Sequence, residues 1–323
     1  MMAEYTAVIR TLGTAGEKYQ RLLTSLMEQT IKPTAIIVYI AEGYNTPKET
    51  VSVEQYVYVK KGMAAQRALP YTEVTTEWML MLDDDLYLEP TSVERMMKLL
   101  EIEKADVISP DMYPNASRPF SAELMMSISG RMRARRSDNR WGYKVMRTAG
   151  YSYNKNAKTG IFQSQTNAGS CLLCRKSDFL KIHFEEELWL DDVAYAIGDD
   201  QVMYYKMHLA GLKLLTWYDH TFTHLDAGGN LTKEKERMLI YNDFRFKTIF
   251  WHRFIWTPKR NWLKRAWSAI CIGYAFGFGL AISVVKGQFG IAKLKWNAIS
   301  GAISFIRSDR YRSLPKVTDN RTY

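Results

Sequence analysis

The feature that most constrains this chain is an apolar strand that runs straight into three acids. Trp78 to Leu82 (WMLML) is followed at once by Asp83, Asp84 and Asp85. An uninterrupted apolar run of this kind is the pattern of a strand covered on both faces. Carboxylates cannot share that interior unpaired, so the strand must end where the chain leaves the core. Similar strands are predicted at Tyr5 to Arg10, Ala35 to Ile40, Gln55 to Val59 and Val107 to Ile108. Between them, Tyr19, Leu22, Leu23 and Leu26, and later Val93, Met96, Met97 and Leu100, recur at helical spacing. Thr14 and Glu17 have capping-box spacing before the first of these helices, and Pro90, Thr91 and Glu94 open the second. Alternation of this kind predicts an α/β fold, a mainly parallel central sheet with helices on both faces. Ligands of such sheets sit beyond the carboxyl ends of the strands, which is where Asp83, Asp84 and Asp85 fall.

Residues 111–166 are polar and read as loops and short elements over the sheet edge. Their basic run, Arg131, Arg133, Arg135 and Arg136, is either a solvated helix face or a grip on an anionic ligand. Core patterning returns with a short strand at Ser170 to Cys174, a short helix capped by Ser177 or Asp178, a helix from Asp200 to Ala210 closed by Gly211, and a strand at Leu212 to Trp217. Cys171 and Cys174 form a CxxC on a strand, which aims the thiols at opposite faces. With only Cys271 elsewhere, they read as core rather than as half a zinc site. Three cysteines also exclude a disulfide framework.

Two acidic clusters carry the chemistry. Asp83 and Asp85 are two apart, so an extended backbone points them the same way. Carboxylates so placed suit a divalent cation, Mg²⁺ or Mn²⁺, shared with phosphate oxygens. Asp199 and Asp200 open the later helix, where one of them is a candidate general base, and Asp191 and Asp192 stand shortly before. His224 follows a strand and is a candidate metal ligand or phosphate partner. Gly228 and Gly229 after it suggest a close backbone approach.

The net charge of +10 sits in the tail. Residues 241–323 hold 15 Lys/Arg against 3 Asp/Glu (+12), whereas residues 1–240 hold 29 against 31 (−2). This divides the chain into a catalytic region, 1–240, and a helical, membrane-associating region, 241–323. Ala266 to Val285 has no formal charge. It is flanked by Lys259, Arg260, Lys264 and Arg265 with Trp251, Trp256 and Trp262 on one side, Trp267 standing just inside it, and by Lys286, Lys293 and Lys295 on the other. Twenty such residues in a helix span about 30 Å, the thickness of a hydrocarbon core. Basic flanks on both sides give a single crossing no clear orientation. A hairpin bent at Gly287 and Gly290, running on to Ile306, or a segment lying in the surface keeps both flanks on the cytoplasmic side. A helix packed on the catalytic domain, or the interface of a homo-oligomer, is the alternative. No signal peptide is read at the start.

The residues quoted resemble the inverting nucleotide-sugar glycosyltransferases of family 2, with the GT-A (Rossmann-like) fold, over roughly residues 5–230. The strand, the helix ending in Gln29–Thr30 and the second strand resemble the family's opening. Asp83–Asp84–Asp85 resembles its Asp-x-Asp motif, and Arg67 in AAQRAL its donor-contacting Arg. The segment around Gly169 resembles the acceptor side, and Asp199–Asp200 the acidic pair whose second member is the base. Gly211, Lys206 and His224 fall at the family's following positions. The resemblance implies Asp85, Asp83 and His224 at a metal, and Arg67, Asp83, Asp84, Lys206 and Gly169 at the nucleotide-sugar donor. It implies Asp200 as base beside Asp199, and a saccharide acceptor, lipid-linked in the members that build bacterial polysaccharide. Asp192 or Trp189 is expected at the acceptor pocket. Two positions depart: Ile40–Ala41 stand where the family has an acid for the nucleobase, leaving Glu42 or backbone groups to serve, and Ala68 replaces an Asn. The competing readings are a nucleotidyltransferase on the same carboxylates, and a non-enzymatic tail-driven binder of nucleic acid or membrane. The second leaves both acidic clusters unexplained, so nucleic acid is not expected as a partner. The expected site of action is the cytoplasmic face of a membrane.

Overall fold

The structure is a computed structural model that describes residues 4–112, 119–137, 140–219, 221–225, 232–259 and 261–321. Gly228, Gly229 and Arg260 lie outside the described residues. The chain begins β1 (Tyr5–Thr11), α1 (Glu17–Met27), β2 (Ala35–Ala41), β3 (Glu54–Val59), β4 (Trp78–Asp83), β5 (Leu86–Leu88), α2 (Ser92–Glu103) and β6 (Val107–Pro110). It continues with α3 (Phe120–Ile128), β7 (Met132–Arg135), β8 (Tyr143–Val145), β9 (Tyr151–Asn154), β10 (Gly160–Gln163), β11 (Cys171–Arg175) and α4 (Lys176–Leu180). A 3₁₀ segment, Phe184–Asp192, leads to α5 (Asp199–Leu209), β12 (Leu214–Tyr218) and β13 (Phe222–His224). The C-terminal part is α6 (Lys233–Phe250), a π-helical turn at Trp251–Trp256, α7 (Trp262–Val285), α8 (Phe289–Arg307) and α9 (Asp309–Arg312).

Eight strands form one sheet in the order β10-β12-β6-β11-β4-β1-β2-β3. β3, β2, β1 and β4 are mutually parallel, and β12 pairs parallel with β6; β11 and β10 run against their neighbours. This mixed, mostly parallel sheet between helical layers is GT-A-like. Side-chain alternation divides the core. Ala7, Ile9, Val38, Leu80 and Leu82 face α1 and α2, while Val8, Ile37, Tyr39, Met79 and Met81 face α5 and α6. Cys171 and Cys174 obey the same parity, one in each layer and both fully buried, as their spacing predicts.

Several local expectations are corrected. The first helix starts at Glu17 behind Gly16, with no side-chain cap, so Thr14 and Glu17 make no capping box. The polar stretch 111–166 is not merely loops. It supplies α3, β10 at the sheet edge and a separate small sheet ordered β7-β9-β8. Its arginine run straddles a strand rather than a helix face, with Arg133 and Arg135 in β7 and Arg131 and Arg136 at its two ends. Arg135 donates to Trp141 O and Gly142 O just before β8, and Arg136 pairs with Glu123 of α3.

In the tail, α7 and α8 form a hairpin whose bend is at Gly287, φ +68°. The left-handed conformation there is one that a side chain disfavours. Gly290 lies inside α8. α7 is long and apolar enough to cross a membrane, by length and composition. Leu263, Trp267, Ile270 and Tyr274, spaced four, three and four apart, stay more than half exposed along one face of it. Phe289, Trp296 and Ile303 continue the exposed apolar surface on α8.

Candidate active site

Strand parity builds the site. Arg10 ends β1 on the same side as Val8, and Asp83 ends β4 on the same side as Met79 and Met81. The parallel register puts the two opposite each other. Arg10 Nε meets Asp83 Oδ1 at 2.6 Å. β11 joins from the other flank, where Ser170 O accepts from Asp83 N at 2.9 Å and so brings Gly169 to the edge. α5 enters above this edge with Asp199 and Asp200 in its first turn, the end of a helix that favours negative charge.

Arg67 stands on the turn 62–68. Asp191 fixes that turn by accepting from the backbone N–H groups of Ala64 (3.0 Å) and Ala65 (2.8 Å). The Arg67 guanidinium is 1% exposed. It lies 2.6 Å from Asp200 Oδ1 and 3.3 Å from Asp199 Oδ2, and donates to Gly169 O at 3.1 Å. A Cβ at Gly169 would overlap the Asp200 carboxylate and press on Arg67, so both side chains would have to shift to admit one. Asp199 also lies 3.6 Å from Arg10 Nη1, and its side chain is 3% exposed, against 36% for Asp200. The two aspartates therefore differ. Asp199 is locked between two arginines, and Asp200 is held on one oxygen and reaches solvent. Burial pushes the Asp200 carboxyl above its usual range; Arg67 pulls it back, and Asp199 pushes it up again.

The triple aspartate does not continue as a strand. β4 ends at Asp83, and Asp84–Asp85 turn into β5, so the extended backbone that would align Asp83 with Asp85 stops at Asp83. Each acid meets a different partner: Asp83 meets Arg10, Asp84 accepts from Thr11 Oγ1, and Asp85 Oδ1 lies 3.5 Å from His224 Nε2. The last contact exists because β13 pairs antiparallel with β5, His224 opposite Leu86. Burial, offset by the Thr11 hydrogen bond and reinforced by Asp85 and Asp83, pushes the Asp84 carboxyl up to about 6.

Three carboxylates, Asp83, Asp199 and Asp200, thus face two guanidiniums, Arg10 and Arg67, and Asp84 and Asp85 follow Asp83 beside Thr11 and His224. An acidic surplus of this kind favours a bound cation. Among the described residues, no three His, Cys, Asp or Glu side chains converge as a ligand set. Asp85 and His224, 3.5 Å apart, could hold a cation that keeps water and phosphate oxygens for its other positions.

Other expected residues fall elsewhere. Glu42 is exposed just beyond β2, outside the ion-paired cluster. Lys206 is not at the cluster: its ammonium is buried and bonded to His183 O, Glu186 and Glu187 at 2.8 to 2.9 Å. Arg67 is too enclosed by Asp199, Asp200 and Gly169 to offer a phosphate an open face. Trp189 is buried on Glu187, and Asp192 pairs with Arg310 at 2.9 Å. The residue missed in the sequence is Arg10. Its signal was a lone charge at the end of an apolar strand.

The model of glycosyl transferase family 2 matches residues 17–179. That span, half of the chain, holds Arg67, Asp83–Asp84–Asp85 and Gly169. Asp199, Asp200 and His224 lie beyond it and join the cluster through the fold. No curated protein sequence matches the chain. Among solved structures, the crystal structure of GalNAc-T7 with UDP, GalNAc and Mn²⁺ matches with a TM-score of 0.51 at 11% identity, covering 86% of this chain and 55% of that one. The chain therefore spans about half the length of that structure, and at this identity the likeness is one of fold.

Proposed function

Because the chain belongs to glycosyl transferase family 2, we propose that it is an inverting glycosyltransferase. It moves a sugar from a nucleoside-diphosphate sugar to a hydroxyl of a saccharide acceptor, lipid-linked in the cell. The observation that carries this reading is Asp200, a carboxylate beyond the sheet's carboxyl edge, open on one side and gripped at 2.6 Å on the other, with its proton affinity raised by burial. A base with raised affinity, within reach of an acceptor hydroxyl, draws off the proton as oxygen attacks the anomeric carbon. Single displacement from the opposite face inverts that carbon and needs no nucleophilic side chain. Arg67 and Asp199 act as positioning residues. They fix the Asp200 rotamer through the 2.6 Å contact and the crowded face of Gly169.

Asp85 and His224 would hold the divalent cation, Mn²⁺ or Mg²⁺, and its chemistry there is to offset charge on the departing diphosphate. Mn²⁺ and UDP in the GalNAc-T7 crystal structure support this donor class. Arg10, 19% exposed and tied to Asp83, supplies the accessible guanidinium for a phosphate, and Glu42 is left to the nucleobase side. Screening UDP-, GDP- and dTDP-sugars with and without Mn²⁺ tests the reaction. Release of nucleoside diphosphate supports it, and release of pyrophosphate points to nucleotidyl transfer. Asp85→Ala is expected to weaken metal-dependent UDP, GDP or dTDP binding by about 10- to 100-fold with melting unchanged. Nucleotide affinity that ignores both the metal and this substitution counts against the metal assignment. Gly169→Ala is expected to lower kcat by about 100-fold, because the added methyl displaces the base by a fraction of its reach. A kcat within a factor of two of the parent would show that the base sits elsewhere.

The tail lies on an anionic membrane surface at the cytoplasmic face. The exposed stripe Leu263, Trp267, Ile270 and Tyr274, among basic residues, supports this.

A further inference from the structure

A groove of about 540 Å³ runs between α3, α6, α7 and α8, away from the acidic cluster. Met125 and Met126 of α3, Phe244 of α6, and Phe276 and Ile282 of α7 make its apolar walls. Its charged lining is Arg131, Lys247, Lys286 and Lys295 against Glu236 and Asp243, four cations to two anions. Lys295 is the central one. Its ammonium donates to Gly279 O (2.7 Å) and Ser283 Oγ (2.8 Å), and lies 5.2 Å from the centre of the Phe244 ring. Those partners are neutral. The charges of Lys286, Arg131 and Lys247 all act on it. Asp243, the carboxylate acting on it, is itself paired with Lys247 at 2.8 Å. Gly279 is part of the arrangement: a Cβ there would sit 2.9 Å from Phe244, so the bare backbone lets α7 close on α6 and turn its carbonyl to Lys295.

An apolar trough with a cationic cluster at its wall complements a hydrocarbon chain carrying an anionic head. Its volume lies within the ~300–1,000 Å³ of ordinary ligand pockets. It opens beside α7, whose outer face carries the exposed apolar stripe. We propose that this groove seats one anionic lipid molecule, its phosphate at Lys295, Lys286 and Arg131 and its chain against Met126, Phe244 and Phe276. The inference deepens the reading of the tail as membrane-facing and is independent of the transfer chemistry.

The test is calorimetric titration of the full chain with dihexanoyl phosphatidic acid below its micelle concentration, against inorganic phosphate and dihexanoyl phosphatidylcholine. Phosphatidic acid is expected to bind at least about tenfold more tightly than either, since the site needs both chain and charge. Lys295→Met is expected to weaken it by about tenfold or more while adsorption to anionic vesicles persists. Trp267→Ser with Ile270→Ser should do the reverse, so the groove and the surface fail separately. Lys286→Glu, at an exposed position, probes the same phosphate contact and is expected to weaken binding equally, should Lys295→Met misfold. Phosphate binding as tightly as the lipid would reduce the site to an anion pocket. Unchanged affinity in both lysine variants would overturn the proposal. So would lipid binding that weakens as protein concentration rises, because a second copy of the chain would then be covering the groove.

Discussion

Asp200→Asn is expected to lower sugar transfer by about 10²- to 10⁴-fold, the usual contribution of a positioned general base. The amide keeps the shape of the side chain and its contact with Arg67, but it cannot take a proton. Nucleotide binding and the melting temperature should stay near those of the parent. The pH profile gives a second readout. Burial and Asp199 raise the Asp200 carboxyl and Arg67 opposes them, with burial the largest. The protonated, inactive form therefore persists to higher pH than for an ordinary carboxylate, and the acid limb of kcat lies at correspondingly higher pH. Replacing Arg67 by Gln removes the opposing charge, so the acid limb should move further up in pH. A variant at position 200 with near-parental rate, or an acid limb that moves down on losing Arg67, contradicts the assignment. Asp199→Asn offers the contrast. That side chain is closed off between Arg10 and Arg67, so its loss should act through the placement of Arg67.

How far the sequence led depends on how each residue signals its neighbours. β1, β2 and β4 were legible because continuous apolar runs have few alternatives, and Gly211 because a left-handed residue after a helix is nearly a glycine signature (φ +93°). Asp200 and Gly169 were picked out by family resemblance, and the fold sets them against each other. What stayed hidden depended on long-range pairing. β5 and β13 are three residues each, too short for periodicity, yet their pairing is what brings His224 to Asp85. The small sheet β7-β9-β8 is polar and interrupted, so it read as loop. Lys206 followed a spacing rule along α5. A spacing rule cannot reveal that a buried glutamate from the 3₁₀ segment lies against that face of the helix. Arg10 read as the end of a strand because its partner, Asp83, is 73 residues away.

That buried glutamate, Glu187, is the basis of the largest expected stability effect. It is fully buried, and its carboxylate accepts from Arg253 Nε and Nη2 at 2.8 Å each, from Lys206 Nζ at 2.8 Å and from Trp189 Nε1 at 2.7 Å. Arg253 arrives on the π-helical turn after α6 and also donates to Pro315 O at 3.0 Å. One carboxylate thus joins the helix that carries Asp200, through Lys206, to the C-terminal helices. Glu187→Gln should cost up to about 3–5 kcal/mol, because it puts a neutral amide against two buried cations and leaves them to share the carboxylate of Glu186, 2.9 Å from Lys206 and 3.5 Å from Arg253. Adding Lys206→Met should recover part of that loss by removing one stranded charge, a coupling that a double-mutant cycle measures. The pH dependence has a definite sign. Burial opposes the charge on Glu187, but Lys206 and Arg253 outweigh it and hold the carboxyl below its usual value. Its stabilisation is therefore complete above the unfolded value of about 4.3 and is lost as pH falls through the lower folded value. Denaturant melts from pH 7 downward should show the parent losing stability in that window, while Glu187→Gln, already without the carboxylate, changes less. Equal midpoints for parent and variant at pH 7 would mean that the buried carboxylate adds nothing to the docking of the tail.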